Sequence, residues 1–289
     1  LVRPVLEDAT LIPSRTQIIL DTEAIAAVRT AVRSQVLGEP MAMPLPGALR
    51  HEFRNAYFCQ EVLAVNEREA RILVELGIHD PEILGTMREP SPTDRGFAAR
   101  RGVLFVGSLH AADTPNVDSL CWFVDQVLPL IEEELGAETR LTVAGYLAPG
   151  LDLERIGQHV RVTLLGPVPD LIPLYDAHRV FVAPTRFAAG TPYKVYEAAS
   201  FGLPVVATEL LRGQLDWTEG AELLAAPADD PAAFAAKVVM LYRSADLWGT
   251  VRDAALARLR RENGWDQFSL IIESRLSQRA GGIGVRAAE

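Results

Sequence analysis

Residues 181–208 read FVAPTRFAAGTPYKVYEAASFGLPVVAT. An apolar run, a small-residue loop, a short helix opened by Thr191-Pro192, a stop at Gly202 and a second apolar run from Pro204 spell a βαβ unit with parallel strands. In such sheets the loop that leaves a strand's carboxyl end and feeds a helix N-terminus is where ligands bind. Thr191 suits the N-cap and Pro192 the first helical position. The free N–H groups of the first turn and the positive end of the helix dipole then point toward Ala189 and Gly190, a setting for phosphate. Gly190 lets a ligand approach the backbone. Lys194 lies in that first turn, which opposes the dipole unless an anion is also there, and Arg186 precedes the loop. Glu197, an acceptor-only group, suits a pair of ribose hydroxyls. A plainer account stands beside this one. Any βαβ crossover needs a small-residue turn, and Lys194 with Glu197 at three-residue spacing also reads as a solvated pair worth roughly a few tenths of a kcal/mol.

Outward from this unit the pattern stays regular. VLFVG (103–107), RLTVAG (140–145), RVTLLG (161–166), RVFVAP (179–184) and ELLAA (222–226) read as strands with helices between them, the first helix opening at Thr114-Pro115. Strands alternating with helices at this spacing predict an α/β fold with a Rossmann-like, parallel, doubly wound sheet over 102–264. Helices follow at 230–242, 245–261 and 265–278, and the Gly-rich tail 279–289 is treated as disordered. Toward the amino end, REPSPTDRG (88–96) is the clearest composition break and marks a linker, bounded at 91–101. Residues 1–90 form an incomplete second α/β domain. It opens with an arm over 1–16, followed by the strand QIILD (17–21), a helix from Thr22 to Leu37 and a helix over 48–58. The strand EVLAV (61–65) comes next, then a helix capped by Asn66 with Glu69 three residues on.

The whole chain sets bounds on function. Its 289 residues, 49% hydrophobic and 23% charged, suit one or two domains with a sizeable core. A net charge of -10 argues against nucleic-acid partners, so any phosphate binding is local. Cys59 and Cys121 form no ligand-spaced pair, which fits a reducing compartment. No apolar run approaches the roughly 20 residues that cross a bilayer. G-x-G-x-x-G is absent after Phe105, which disfavours NAD or FAD, and no Asp-x-Asp metal motif is apparent.

Gly190, Lys194, Glu197, Ala198, Gly202, Pro204, Val205, Val206 and Thr208 together resemble the signature of family 4 glycosyltransferases. The resemblance implies a GT-B fold that holds a nucleotide-sugar at this loop. It covers residues 102–278 well and 17–85 loosely. Gly107 and Ser108 then start a loop that faces the diphosphate or sugar across the cleft. LFVGSLHAADTPNVDSL (104–120) lacks the family's common Arg and Lys there and resembles a subgroup marked by a His and a Pro-Asn pair. His110 is accordingly a phosphate candidate, set against the commoner solvated loop histidine. Gly166-Pro167-Val168-Pro169-Asp170 resembles the segment on which the base rests, with Val168 at its centre, although a structural turn reads the same. The departure is at Ala189, where the family usually carries the first of two glutamates, the one that meets the donor sugar. Asp21 lies where an acceptor-side catalytic group is expected. It is equally a helix cap, together with Thr22, and the cap is the favoured reading.

The resemblance implies transfer of a sugar from a nucleotide-diphosphate donor to a glycan or lipid-linked acceptor, with retention, without a metal or other cofactor, and at a cytoplasmic site. A lipid-linked acceptor would add peripheral association with the inner membrane face. The alternative is a non-catalytic nucleotide-sugar-binding or scaffold module of a larger protein; a GT-B-like epimerase fits the fold with no motif in support. The chain starts at Leu1 and places about a hundred residues before its second domain. The expectation is a trimmed acceptor domain, one module of a longer chain, or a native short form. Helix 265–278 is expected to cross back onto the amino-terminal unit.

Overall fold

The computed structural model describes residues 16–136 and 139–277. The tail expected at 279–289 and most of the amino-terminal arm lie outside the described residues. Two parallel sheets organise the chain. The smaller has the order β1-β2-β3, formed by Ile19–Asp21, Glu61–Ala64 and Glu82–Ile83. The larger has the order β6-β5-β4-β7-β8-β9. Its strands are β4 (Val103–Val106), β5 (Leu141–Ala144), β6 (Val162–Gly166), β7 (Val180–Ala183), β8 (Val205–Thr208) and β9 (Leu224–Ala226). The predicted strands of this sheet are all present.

The uniformly apolar strands of the large sheet are what a parallel sheet covered on both faces requires. Every residue of β4, β7, β8 and β9 is buried. Alternate side chains serve alternate faces. Val103 and Phe105 enter one apolar cluster with Phe123, Ile131, Phe234 and Trp248, whereas Leu104 and Phe181 enter another with Tyr175, Val195, Leu203 and Trp217. The chain runs outward from β4 to β5 and β6, returns to lay β7 beside β4, and continues outward the other way through β8 and β9. Strands β4 and β7 therefore flank the point where the winding reverses, and a crevice opens beyond their carboxyl ends.

The amino-terminal unit differs in detail from the expected one. Its first helix, α1 (Ala26–Leu37), starts four residues after Thr22, and neither Asp21 nor Thr22 caps it. The Asp21 carboxylate instead accepts the Glu23 N–H at 3.1 Å, making a local turn. The cap comes from Glu52, at the end of α2 (Leu45–Glu52), whose two oxygens accept the Ala26 and Ala27 N–H groups at 2.8 Å each. A carboxylate at a helix N-terminus satisfies free donors and the dipole together, so the distant group displaces the local one. The helix expected over 48–58 is α2 followed by a separate 3-10 turn, Ala56–Phe58. In α3 (Glu67–Glu75) the Asn66 side chain caps as expected, accepting the Glu69 N–H at 2.9 Å. Strand β3 was not anticipated; two residues carry too little pattern.

In the larger unit α4 (Pro115–Trp122) passes through a π-helical turn, Phe123–Val127, into α5 (Leu128–Leu135). Pro129 cannot donate to the preceding turn, which accounts for the irregularity. There follow α6 (Glu154–Gly157), α7 (Ile172–Ala177), α8 (Tyr193–Ser200), α9 (Glu209–Leu215), α10 (Pro231–Arg243), α11 (Ala245–Glu262) and α12 (Trp265–Ser277). The expected linker is a bonded strap. Arg88 N–H donates to Asn263 O at 2.8 Å, Ser91 N–H to Ser200 O at 2.8 Å, and Thr93 N–H to Phe201 O at 3.2 Å. Arg100, fully buried at its end, donates to the carbonyls of Arg95, Tyr175 and His178 and to the Thr93 hydroxyl. At the start of helix α12, Trp265 N–H donates to Glu89 at 2.7 Å, and Phe268 lines a cavity with Val65 and Leu84.

Candidate functional site

The loop between β7 and α8 lies at the reversal point. Gly190 has φ of 81°, which favours glycine. A Cβ there would lie 2.6 Å from the Glu23 carbonyl oxygen and 2.8 Å from the Ala24 Cβ. The Gly190 N–H donates to Glu69 Oε1 at 2.8 Å. Close approach at this glycine is thus made by the amino-terminal unit. Glu69 is 4% exposed and its second oxygen has no partner; burial, the largest influence, raises its pKa. The Glu69 side chain thus crosses to the other unit.

Thr191 does not cap α8. Pro192 occupies the N-cap position without a side-chain bond, and the Thr191 carbonyl accepts the Tyr193 N–H at 2.9 Å. Proline disfavours helical geometry in the residue before it, which shifts the helix start by one position. Lys194 points its ammonium group to Asn116 Oδ1, with Nζ 5.2 Å from the centre of the Phe105 ring. Asn116 in turn donates to Ser108 O at 3.0 Å, and a Cβ at Gly107 would meet the Asn116 amide at 3.0 Å. Enclosure lowers the Lys194 pKa to about 8, and no ion pair involving it occurs among the described residues. An enclosed cation beside a neutral amide is costly unless an anion joins it.

The remaining predicted residues are distributed as follows. Arg186 holds Asp118 bidentately, at 2.9 and 2.5 Å, so its charge is matched inside the protein and it ties the loop to α4. Glu197 accepts the Tyr175 hydroxyl at 2.9 Å, and its other oxygen lies 3.6 Å from Arg88 of the strap. Burial first, then the Glu197 charge, pushes the Tyr175 pKa well above its usual range. His110 is exposed and lies against the Tyr146 ring, with centroids 5.1 Å apart. Val168 is half-buried against the apolar cluster around Tyr175.

Two cavities meet at this loop. One, of about 250 Å³, is lined by Asn116, Thr185, Ala188, Ala189, Thr191, Lys194 and Gln214, among others. The other, of about 290 Å³, includes Asp21, Glu23, Thr86, Thr191 and Phe268. Tyr193, 66% exposed, lines both. Larger hollows of about 450 and 590 Å³ lie in the amino-terminal unit around Phe53, Arg54 and Cys59. They contain none of the loop residues, and size alone does not outweigh the enclosed cation and helix terminus at the reversal point. The structure therefore gathers Thr191, Lys194 and Ala189 around one cavity, sets Asp21 on its neighbour, and leaves Gly107, Ser108, His110, Val168, Arg186, Gly190 and Glu197 off the lining of both. The sequence reading missed Thr185 and Gln214, which carry no motif, and gave Asn116 no role of its own.

Residues 100–244 match the family described as Glycosyl transferases group 1. No curated protein matches the sequence. Among solved structures, TarM superposes with a TM-score of 0.67 at 13% identity over 80% of this chain and 45% of its own. Sucrose-phosphate synthase from Thermosynechococcus elongatus does so with 0.67 at 15% identity over 91% and 67%. Anabaena Alr3699/HepE, solved with UDP and glucose, gives 0.68 at 16% identity over 96% and 80%. The chain thus spans less than half the length of TarM. The likenesses share the fold, two Rossmann-like α/β units of the GT-B type with the cleft between them. With half of its length matched and its loop signature at the reversal point of a GT-B sheet, the chain belongs to the group 1 glycosyl transferases.

Proposed function

We infer that the cavity at Lys194 receives the diphosphate of a nucleotide-sugar and that the chain transfers the sugar to a glycan or lipid-linked acceptor. The observation that carries this reading is the enclosed Lys194 ammonium with only a neutral partner, in the first turn of α8. A diphosphate would supply the missing negative charge, and the ammonium with the helix terminus would stabilise the leaving group as the glycosidic bond breaks. No metal or other cofactor enters this scheme, and retention of configuration is part of the proposal. HepE, among the similar folds, was solved in complex with UDP and glucose. Asp21 lines the adjoining cavity; with an acceptor there, its carboxylate would orient or deprotonate a hydroxyl. A cytoplasmic site fits this donor chemistry, with peripheral membrane association where the acceptor is lipid-linked; no helix among the described residues is long and apolar enough to cross a membrane.

The experiment is titration calorimetry with UDP and GDP followed by donor hydrolysis, for the wild type, Lys194→Ala and Glu197→Ala. Loss of a charge-assisted phosphate contact weakens binding roughly tenfold to a hundredfold in Lys194→Ala. Glu197→Ala weakens nucleotide binding if its carboxylate takes the ribose. Failure of both nucleotides to bind, or unchanged affinity in both variants, refutes the site. A second reading is favoured by one observation, the alanine at 189 where the family's sugar-binding carboxylate is expected. On that reading the chain is a nucleotide-sugar-binding or scaffold module, and it would bind nucleotide without hydrolysis or transfer.

A further inference from the structure

Two polar side chains on the Lys194 cavity lack partners. Thr185, at the end of β7, is 3% exposed, and its hydroxyl oxygen has no hydrogen bond, since only its backbone carbonyl is engaged, by the Thr208 hydroxyl. Gln214, on α9, is 7% exposed, and its Oε1 has no partner. Buried polar groups are almost always hydrogen-bonded, and each one left unmade costs about 1–3 kcal/mol. Both residues line the cavity that Ala188, Ala189 and Lys194 also line. Its volume, about 250 Å³, exceeds that of a single water several times over. The side chain of Ala189 leaves that space open and supplies no acceptor.

The chemistry of the two groups selects the ligand group. An amide turned either way presents one unsatisfied buried atom, an acceptor as placed or a donor if flipped. A hydroxyl donates and accepts, so it satisfies the amide in either orientation and the threonine as well. A phosphate oxygen accepts only, so it satisfies the amide in the flipped orientation alone and leaves Oε1, as placed, without a donor. Within one cavity, then, Lys194 suits the anion, while Thr185 and Gln214 suit a hydroxyl-bearing group attached to it. The geometry points to Gln214, supported by Thr185, as the residue that binds a ring hydroxyl of the donor sugar, in the place left without a carboxylate at Ala189. This rests on the nucleotide-sugar reading above.

Calorimetry with UDP, GDP and their glucose, galactose, mannose and N-acetylglucosamine conjugates tests it on the wild type, Gln214→Leu and Gln214→Glu. In the wild type at least one conjugate binds more tightly than its bare nucleotide. Gln214→Leu leaves the nucleotide's Kd within about twofold and weakens that conjugate about tenfold, the size expected for one buried hydrogen bond. Gln214→Glu, which keeps an acceptor, restores the sugar's increment. Leucine fits the buried position without an unmet polar atom, so the ligand-free variant melts no lower than the wild type, which separates lost contact from lost fold. Equal weakening of nucleotide and conjugate, an unchanged increment in Gln214→Leu, or no increment for any conjugate in the wild type overturns the assignment. A sugar increment unchanged in Gln214→Leu while nucleotide binding still depends on Lys194 refutes this inference alone; absence of nucleotide binding refutes the site reading with it.

Discussion

At Lys194 an ammonium group has an amide and an aromatic ring for company, and the consequence is a titration shifted into an accessible range. Its pKa is lowered from 10.5 to about 8 by burial. Between these values the unfolded chain holds a proton that the folded chain has released, so stability rises with pH across that window and the slope disappears in Lys194→Met. A bound diphosphate favours the protonated form, so nucleotide binding near pH 8.5 takes up a fraction of a proton. Calorimetry in two buffers of different ionisation enthalpy measures that uptake; its absence in the wild type contradicts the anion site. The placement of Lys194 and Thr191 beside the loop was legible in the sequence because they follow Gly190 within one turn of chain, although the cap expected of Thr191 does not form. Gln214 was not, because its relevance depends on a cavity wall that α9 contributes after another strand. Nor was Glu69, whose partner is 121 residues away. Arg186 looked free for phosphate; only packing reveals that Asp118 already holds it.

Among elements, the strap from Arg88 to Arg100 departs furthest from its sequence pattern. Two prolines and several charges read as a linker between domains, and the segment hydrogen-bonds to the end of α8 and closes on a fully buried guanidinium. Burial lowers the Arg100 pKa to about 10, which still leaves it charged at neutral pH. Arg100→Met leaves the carbonyls of Tyr175 and His178 without this donor. Such a loss costs roughly 3 kcal/mol, a fall in Tm on the order of 5–10 °C that calorimetric melting would record. An unchanged Tm would mean that the strap contributes nothing to the fold. The strands of the large sheet, by contrast, were legible almost residue by residue, since a strand buried on both faces writes an uninterrupted apolar run. The short helices of the amino-terminal unit were not, because the carboxylate of Glu52 rather than a local cap decides where α1 begins.

For the whole molecule, Glu69 is the buried link between the two units at the site. Burial raises its pKa, so folding disfavours the ionised form relative to the unfolded chain, and a neutral acceptor of the same shape is tolerated. Glu69→Gln therefore keeps the Gly190 N–H bonded and the stability at pH 7 equal to or above that of the wild type. Glu69→Ala frees the Gly190 amide, and its hydrogen exchange accelerates at least roughly tenfold, corresponding to the loss of about 1.4 kcal/mol or more. Equal exchange rates in all three proteins would remove the link. The partition between the two cavities carries a last consequence. Tyr193 and Thr191 line both cavities. A single substitution of the phenol ring at Tyr193 therefore reshapes both cavities at once, whereas one at Gln214 or at Asp21 reshapes only one of the two.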